Sequence, residues 1–565
     1  MASPRLLRTP VPAVALLVAC AAVLLALLPL VMMVRTVWVE GSGRLDTVLD
    51  RPGLGEAVMH SLALAVAVTV LAVPVGAALA LALRRPDLPA RTLLRVGVLL
   101  PVLVPDFVLA YSWLRAYGKS GFTDDLLGLA WSGIQGPVGV TLVVAINAVP
   151  VAYLVVAVGL AARAEPSLEQ AARAAGADAF TVLRTIVLPL LRPALATAAV
   201  LVLVLTLGTF AIPQVMGSPA GFTTITTRIY ANLARSSDPA AFVEAIMLAL
   251  LLVLVALAVV APADRFLGPR LRVARTSTTE PAPTAAPRRA AGRWAATAIG
   301  GYLLLAVGLP LVALVATALT RGAGLAPVPA NWTADNFRSV LTAPNAEALG
   351  RSLVLSMLAA SVLVVLGGCL AALERTRVGR SAGTLVMLTF VLPGSTLAVG
   401  LSITYGRWVG GSLLIILLAY LAKLWAFAHR PISGALDRLP ADELSAARVS
   451  GASLLVAVRS VVLRPLAPAL LAAWFVVFLT ALHEVTMSIL LYGPGNETLA
   501  VVVLNSAELG QVGRTAALSV LLTVLLLVPA GLCWWTVRHL TLTRSSRASR
   551  AILASPLPDE ASRVG

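Results

Sequence analysis

"QAARAAGADAFTVLRTIVLP", Gln170 to Pro189, is polar and jointed inside a chain built almost wholly of apolar runs, and "SAARVSGASLLVAVRSVVLR", Ser445 to Arg464, repeats it. Sliding the sequence by 275 residues aligns Ser167–Leu195 with Asp442–Leu470 and gives twelve identities in 29 positions. Such Ala-rich composition would give roughly three or four by chance. Both copies read as helix, joint, cap, helix. Ser167 is placed to cap a helix N-terminus, and Gln170 completes an S-x-x-Q capping box. Gly176 is expected to end that short helix in the left-handed conformation, and Asp178 to cap a second helix running from Ala179 toward Leu188 and Pro189. Asp442, Gly451 and Ser453 hold the equivalent places in the second copy. A mere connection has no need of that geometry twice. The competing reading is an amphipathic loop lying on lipid, which Arg173, Arg184, Arg448 and Arg459 favour.

The surroundings are those of a polytopic membrane protein. Of 565 residues, 59% are hydrophobic and 12% charged, with a mean hydropathy of +0.93. Apolar segments of about 20 residues, enough for a bilayer-spanning helix, centre near 11–34, 59–83, 93–115, 138–161, 187–213, 241–263, 295–319, 352–373, 382–405, 411–429, 463–490 and 515–537. Only helices satisfy every backbone group internally over runs of this length, so the expected fold is all-α with twelve transmembrane helices. The first run contains "LVAC", Leu17–Cys20, which resembles a lipoprotein cleavage box. The run continues to Val34, however, beyond the ~7–15 apolar residues of a signal peptide. Cys20, Cys369 and Cys533 lie far apart in apolar runs, without metal-ligand spacing.

The net charge of +17 sits on alternate connections instead of forming one basic face, which points to a membrane and not to nucleic acid. Arg84, Arg85, Arg91 and Arg95 follow the second span. Arg265, Arg270, Arg272, Arg275, Arg288, Arg289 and Arg293 follow the sixth; Arg375, Arg377 and Arg380 the eighth; Arg538, Arg544, Arg547 and Arg550 the twelfth. The positive-inside rule then puts the ends of even-numbered spans, both termini and both jointed segments in the cytoplasm. The Pro-, Thr- and Ala-rich stretch 264–293 reads as a disordered linker between two six-span halves, 1–263 and 294–540, with a disordered tail over 541–565. "SLALAVAVTVLAVPVGAALALALRR" from Ser61 answers "SLVLSMLAASVLVVLGGCLAALERT" from Ser352, and Pro105–Gly118 answers Pro393–Gly406. With an even number of spans in each, the halves form a parallel repeat.

Both jointed segments resemble the cytoplasmic signature loop of binding-protein-dependent ABC importer permeases, E-A-A-x3-G-x9-I-x-L-P. Ala171, Ala172, Gly176, Ile186, Leu188 and Pro189 match it, with Gln170 in place of Glu. The second copy matches at Ala446, Ala447, Gly451 and Leu463, has Val461 for Ile, and departs at Ser445 and Arg464. The resemblance implies a type I ABC importer transmembrane fold in the bacterial plasma membrane, with each loop docking into one of two copies of an ABC ATPase subunit and an extracytoplasmic solute-binding protein delivering the cargo. "GSPAGFTTITTRIY", Gly217–Tyr230, and "HEVTMSILLYGPGNETLAVVVL", His483–Leu504, are similar to parts of fused permeases of the ferric iron uptake group. "NWTADNFRSVL", Asn331–Leu341, is similar to a segment of that group and of polyamine, thiamine and phosphonate permeases.

No cofactor is expected on this chain, and ATP is expected on the partner. "YGKSG", Tyr117–Gly121, approaches a Walker motif, but Trp113 stands where its upstream Gly is needed. Ionised groups inside spans cost about 2.5–3.5 kcal/mol at mid-membrane and so mark pathway candidates: Asp106, Glu244, His483 and Glu484. Each is a pathway or gate group, or a buried interhelical contact. Lys423 is expected to snorkel from the cytoplasmic end of span ten. An ion-driven secondary transporter shares the two-half plan but needs no paired helix joints, and no convergent acid, His or nucleophile cluster suggests a membrane enzyme.

Overall fold

The computed structural model describes residues 11–41, 48, 50–85, 87–163, 166–271, 289–322, 324–374, 376–439 and 441–553. Regular structure among them is helical, with two isolated bridges, Thr320 to Trp332 and Gly411 to Tyr492. Ten helices are long and apolar enough to cross a membrane. Two further spans are bent pairs, which brings the total to twelve. In chain order the spans are Ala13–Val39, Leu54–Leu83, Arg91–Leu103 with Asp106–Leu127, Pro137–Ala162, Ala179–Leu207 and Pro239–Ala261 in the first half. The second half has Ala290–Leu319, Ala343–Leu373, Arg377–Val391 with Gly394–Val409, Leu413–Leu436, Val458–Leu482 and Val512–Leu532.

Spans three and nine, expected to be continuous, are broken by 103° and 114°. The cause is local. Pro105 and Pro393 have no N–H to give and push the preceding residue out of the helical region; Val104 and Leu392 accordingly adopt ψ of 100° and 135°. Spans five and eleven also end earlier than their apolar runs, at Leu207 and Leu482, which leaves His483 and Glu484 in the break beyond span eleven. In the other direction, the helix of span six continues to Leu271, the next begins at Arg289, and that of span twelve continues to Leu553. Helix thus occupies both ends of the expected linker and the start of the expected tail; 272–288 and 554–565 lie outside the described residues.

Each half is built on three mutually packed spans: two, four and five, and eight, ten and eleven. Glycines set the closest approaches. A Cβ on Gly76 would lie 2.7 Å from the Tyr153 backbone nitrogen, and one on Gly367 3.0 Å from that of His429. Small residues bring membrane helices together in this way, because lipid supplies no hydrophobic force between them. The first helix of each half crosses to the other half: span one packs on both limbs of span nine, and span seven on both limbs of span three. Spans one and seven each carry a wide π turn, Val23–Leu27 and Leu304–Gly308, just before Pro29 and Pro310. A proline ring excludes the normal i−4 bond, and the π turn relieves the clash. Carbonyls freed there are taken across the halves: Tyr405 Oη donates to the Leu24 carbonyl at 2.8 Å, and Tyr117 Oη to that of Leu305 at 2.6 Å.

Candidate functional site: paired elbows and broken spans

The first elbow starts with the helix Pro166–Ala174. Its first turn contains Ser167, so the expected Ser167 cap lies one residue inside the helix. The helix ends in a Schellman motif: the Gly176 N–H donates to the Arg173 carbonyl at 3.0 Å and the Ala177 N–H to that of Ala172 at 2.9 Å. The second elbow helix, Ala441–Val449, starts one residue before Asp442 and ends identically, with Gly451 N–H to Arg448 at 3.0 Å and Ala452 N–H to Ala447 at 3.1 Å. Gly176 and Gly451 have φ of +90° and +88°. A Cβ at either would meet nothing within 4 Å. Glycine is therefore required by backbone conformation and not by crowding.

Beyond each joint a capped helix restarts. The Asp178 carboxylate accepts the Thr181 N–H at 2.9 Å, and Ser453 Oγ accepts that of Val456 at 3.4 Å. The hydrogen bonds from Thr181 hold the Asp178 carboxyl below the ordinary carboxylate range. Each restart passes through a π turn, Leu183–Val187 and Val458–Leu463, before Pro189 and Pro465, and runs on as span five or eleven. Gln170, Ala171, Gly176 and Leu188 are exposed, whereas Ala172, Ile186 and Pro189 are half-buried. In the second elbow Ala446, Gly451 and Leu463 are exposed, and Ala447 and Val461 half-buried; the Ser445 side chain lies outside the described set. Exposed apolar groups crown both: Phe180 at 67% and Val449 at 90%.

At the breaks, the helix ends need partners for their free carbonyls. Spans four and ten supply them from equivalent positions, five residues before Ala152 and Ala428, which pack on Gly76 and Gly367. Asn147 Nδ2 donates to the Pro101 carbonyl at 3.3 Å and to Asp106 Oδ1 at 3.0 Å. Lys423 Nζ donates to the Phe390 carbonyl at 3.0 Å and to that of Leu392. Lys423 therefore does not snorkel to the membrane surface; it holds the end of the first limb of span nine. Glu484 accepts the Met487 N–H at 2.8 Å, capping the short helix Thr486–Leu491, and its charge interacts with that of Lys423. His483, whose Nδ1 lies 2.7 Å from the Leu479 carbonyl, is near enough to Asp106 for their charges to interact. The break in each half thus meets the end of span five or eleven from the other half. Consistent with this, a Cβ on Gly208 would sit 3.4 Å from Pro393 Cα.

Glu244 lies elsewhere. It is fully buried where span six begins, at the end of the bundle away from the elbows, paired with Arg228 and, at 3.0 Å, with Arg51, which also pairs with Asp238. At that same end is a cluster that sequence reading missed. Glu508 accepts from Gln214 Nε2 at 2.9 Å, Arg235 Nη2 at 2.9 Å and Tyr230 Oη at 3.4 Å, tying the second half to the first. No pattern in the sequence pairs residues so far apart.

Residues 72–273 match the model of the family described as "Binding-protein-dependent transport system inner membrane component". A probable ABC transporter permease, y4fN of Sinorhizobium fredii, is 26% identical over 462 residues, covering 78% of this chain and 79% of that protein. The ferric transport system permease FbpB of Actinobacillus pleuropneumoniae is 23% identical over 454 residues, 77% of this chain and 64% of that protein. The putative 2-aminoethylphosphonate transport system permease PhnV of Salmonella paratyphi A is 28% identical over 246 residues, 42% of this chain and 92% of that protein. Residues 72–273 thus carry a domain of the binding-protein-dependent transport system inner membrane component family, and most of the chain is similar to ABC transporter permeases.

Proposed function

We propose that the chain is the fused two-half permease of an ATP-driven importer, gripped at its two elbows by two ABC ATPase subunits that bind the ATP. An extracytoplasmic solute-binding protein would deliver the cargo at the opposite face, and both termini would lie in the cytoplasm of a bacterium. The observation that carries this reading is the elbow pair. Two helix stops with the same Schellman bonds and the same left-handed glycine, each welded into a span, are stiff levers. A flexible loop would absorb the motion that ATP binding produces. Exposed Phe180 and Val449 offer apolar contacts for the grip.

For the cargo, ferric iron is the reading we favour. Support comes from FbpB, whose alignment runs through both halves, and from the likeness of His483–Leu504 to fused ferric permeases. Aminoethylphosphonate is the second reading, favoured by PhnV, whose alignment covers 42% of this chain; thiamine and polyamines are further candidates from the Asn331–Leu341 segment. The breaks at Pro105 and Pro393, with Asp106, His483 and Glu484 beside them, are the proposed pathway. The test is uptake of radiolabelled ferric iron by cells carrying the chain with its ATPase and binding protein. Uptake abolished by mutation of the ATPase's Walker lysine supports the reading. Uptake of labelled aminoethylphosphonate, without iron uptake, replaces the cargo; uptake indifferent to the ATPase refutes the importer.

A further inference from the structure

The first elbow helix exposes Leu168, Gln170 and Ala171, yet Glu169 between them is only 5% exposed. Glu169 Oε1 accepts a hydrogen bond from Arg84 Nη2 at 2.8 Å, and the two side chains are 7% and 22% exposed. Arg84 caps the C-terminus of span two, where a cation suits the free carbonyls. Arg91 and Arg95 crowd the same turn, donating to the Leu83 carbonyl at 2.7 and 3.2 Å. Glu169 thus brings a carboxylate from the elbow to a cationic helix end. A charge-assisted bond between shielded groups is short and directional, and it resists the sliding that an apolar contact allows.

The second half differs at the corresponding position of the sequence. At the position 275 residues on stands Leu444, which carries no charge. There the carboxylate at the end of span eight, Glu374, turns inward to span ten, accepting from Ser433 Oγ at 2.5 Å and lying 3.5 Å from His429 Nε2.

We propose that the Glu169–Arg84 pair is a strut that carries load from the first elbow into span two as well as into span five. The second elbow has Leu444 where the first has Glu169, so the strut has no counterpart at that position. This inference rests on the importer reading above. Glu169 and Arg84 are positioning residues, acting through the helices that they join.

The test places spin labels at Ala78→Cys, exposed on span two, and Ala175→Cys, exposed at the joint, with Cys20, Cys369 and Cys533 changed to Ser. Distances are measured by pulsed electron resonance on the permease–ATPase complex in nanodiscs, without nucleotide and trapped with ATP and vanadate. The strut predicts one narrow distribution, the same in both states. Glu169→Gln and Arg84→Gln should each broaden it and make it depend on nucleotide state; Glu169→Arg with Arg84→Glu should restore it. Narrow, state-independent distances in both single variants refute the strut while the ATPase is still retained, as does a swap that restores nothing. A wild-type chain that retains no ATPase refutes the importer reading, and the strut with it.

Discussion

Replacing Glu244 by Gln separates an ion-pair lock from a pathway group. The carboxylate is fully buried and serves two guanidiniums, Arg228 and Arg51, whose side chains are 17% and 22% exposed. The substitution keeps the volume, but removes the charge and turns an amide N–H₂ toward cations. Breaking a buried pair by altering one partner costs about 3–5 kcal/mol. Both arginines have some access to water, and Arg51 keeps Asp238, so the lower end applies, about 3 kcal/mol. At about 1.4 kcal/mol per tenfold change, that is a folded-to-unfolded ratio lowered roughly 150-fold. An SDS unfolding titration of the purified permease in detergent, followed by fluorescence of its ten tryptophans, reads it directly. An unchanged midpoint would refute the lock. An unchanged midpoint with lost uptake would instead assign Glu244 to the pathway.

The joints and breaks give further expectations. Gly176→Pro and Gly451→Pro demand φ near −65° where the chain has +90° and +88°; each should uncouple uptake while leaving membrane insertion intact, and wild-type uptake by both would overturn the lever argument. Asp178→Ala should weaken retention of the ATPase on pull-down, whereas Asp178→Asn, which can still cap, should preserve it. Because the folded-state carboxyl is lowered by its bonds from Thr181, the wild-type cap is present above the ordinary carboxylate range. It is lost as pH falls through the lowered value, so pull-down should weaken there in wild type but not in the Asn variant. Lys423→Met leaves the Phe390 and Leu392 carbonyls without their donor, at about 1–3 kcal/mol for each orphaned group. A lower thermal midpoint in detergent is expected, and an unchanged one would show that the cap is dispensable.

The elbows were legible because their geometry is local. A glycine at a helix stop and an Asp or Ser just beyond it determine hydrogen bonds within a few residues, and the structure has them in both copies. The twelve spans were legible for the same reason, since apolar length alone sets them. What escaped was set by tertiary contact. Hydropathy runs straight through Pro105 and Pro393, and only the donors waiting at Asn147 and Lys423 make a break there tolerable. Lys423 looked like a surface anchor because its partners are carbonyls more than thirty residues away. Glu508 and Gln214 gave no signal, being 294 positions apart. Ser167 looked like a cap because its spacing to Gln170 fits the motif, but the helix begins at Pro166, where proline's fixed φ favours a helix start.

The central claim is that both elbows are held by a nucleotide-hydrolysing partner. Ala171 and Ala446, exposed at equivalent positions of the two elbows, can each be replaced by a photo-crosslinking amino acid in living cells. Illumination should capture an ABC ATPase subunit from both positions, whereas a probe at exposed Trp408, at the end of the second limb of span nine, should capture none. Failure of both elbow probes to capture the ATPase, or its capture from Trp408 instead, would contradict the account.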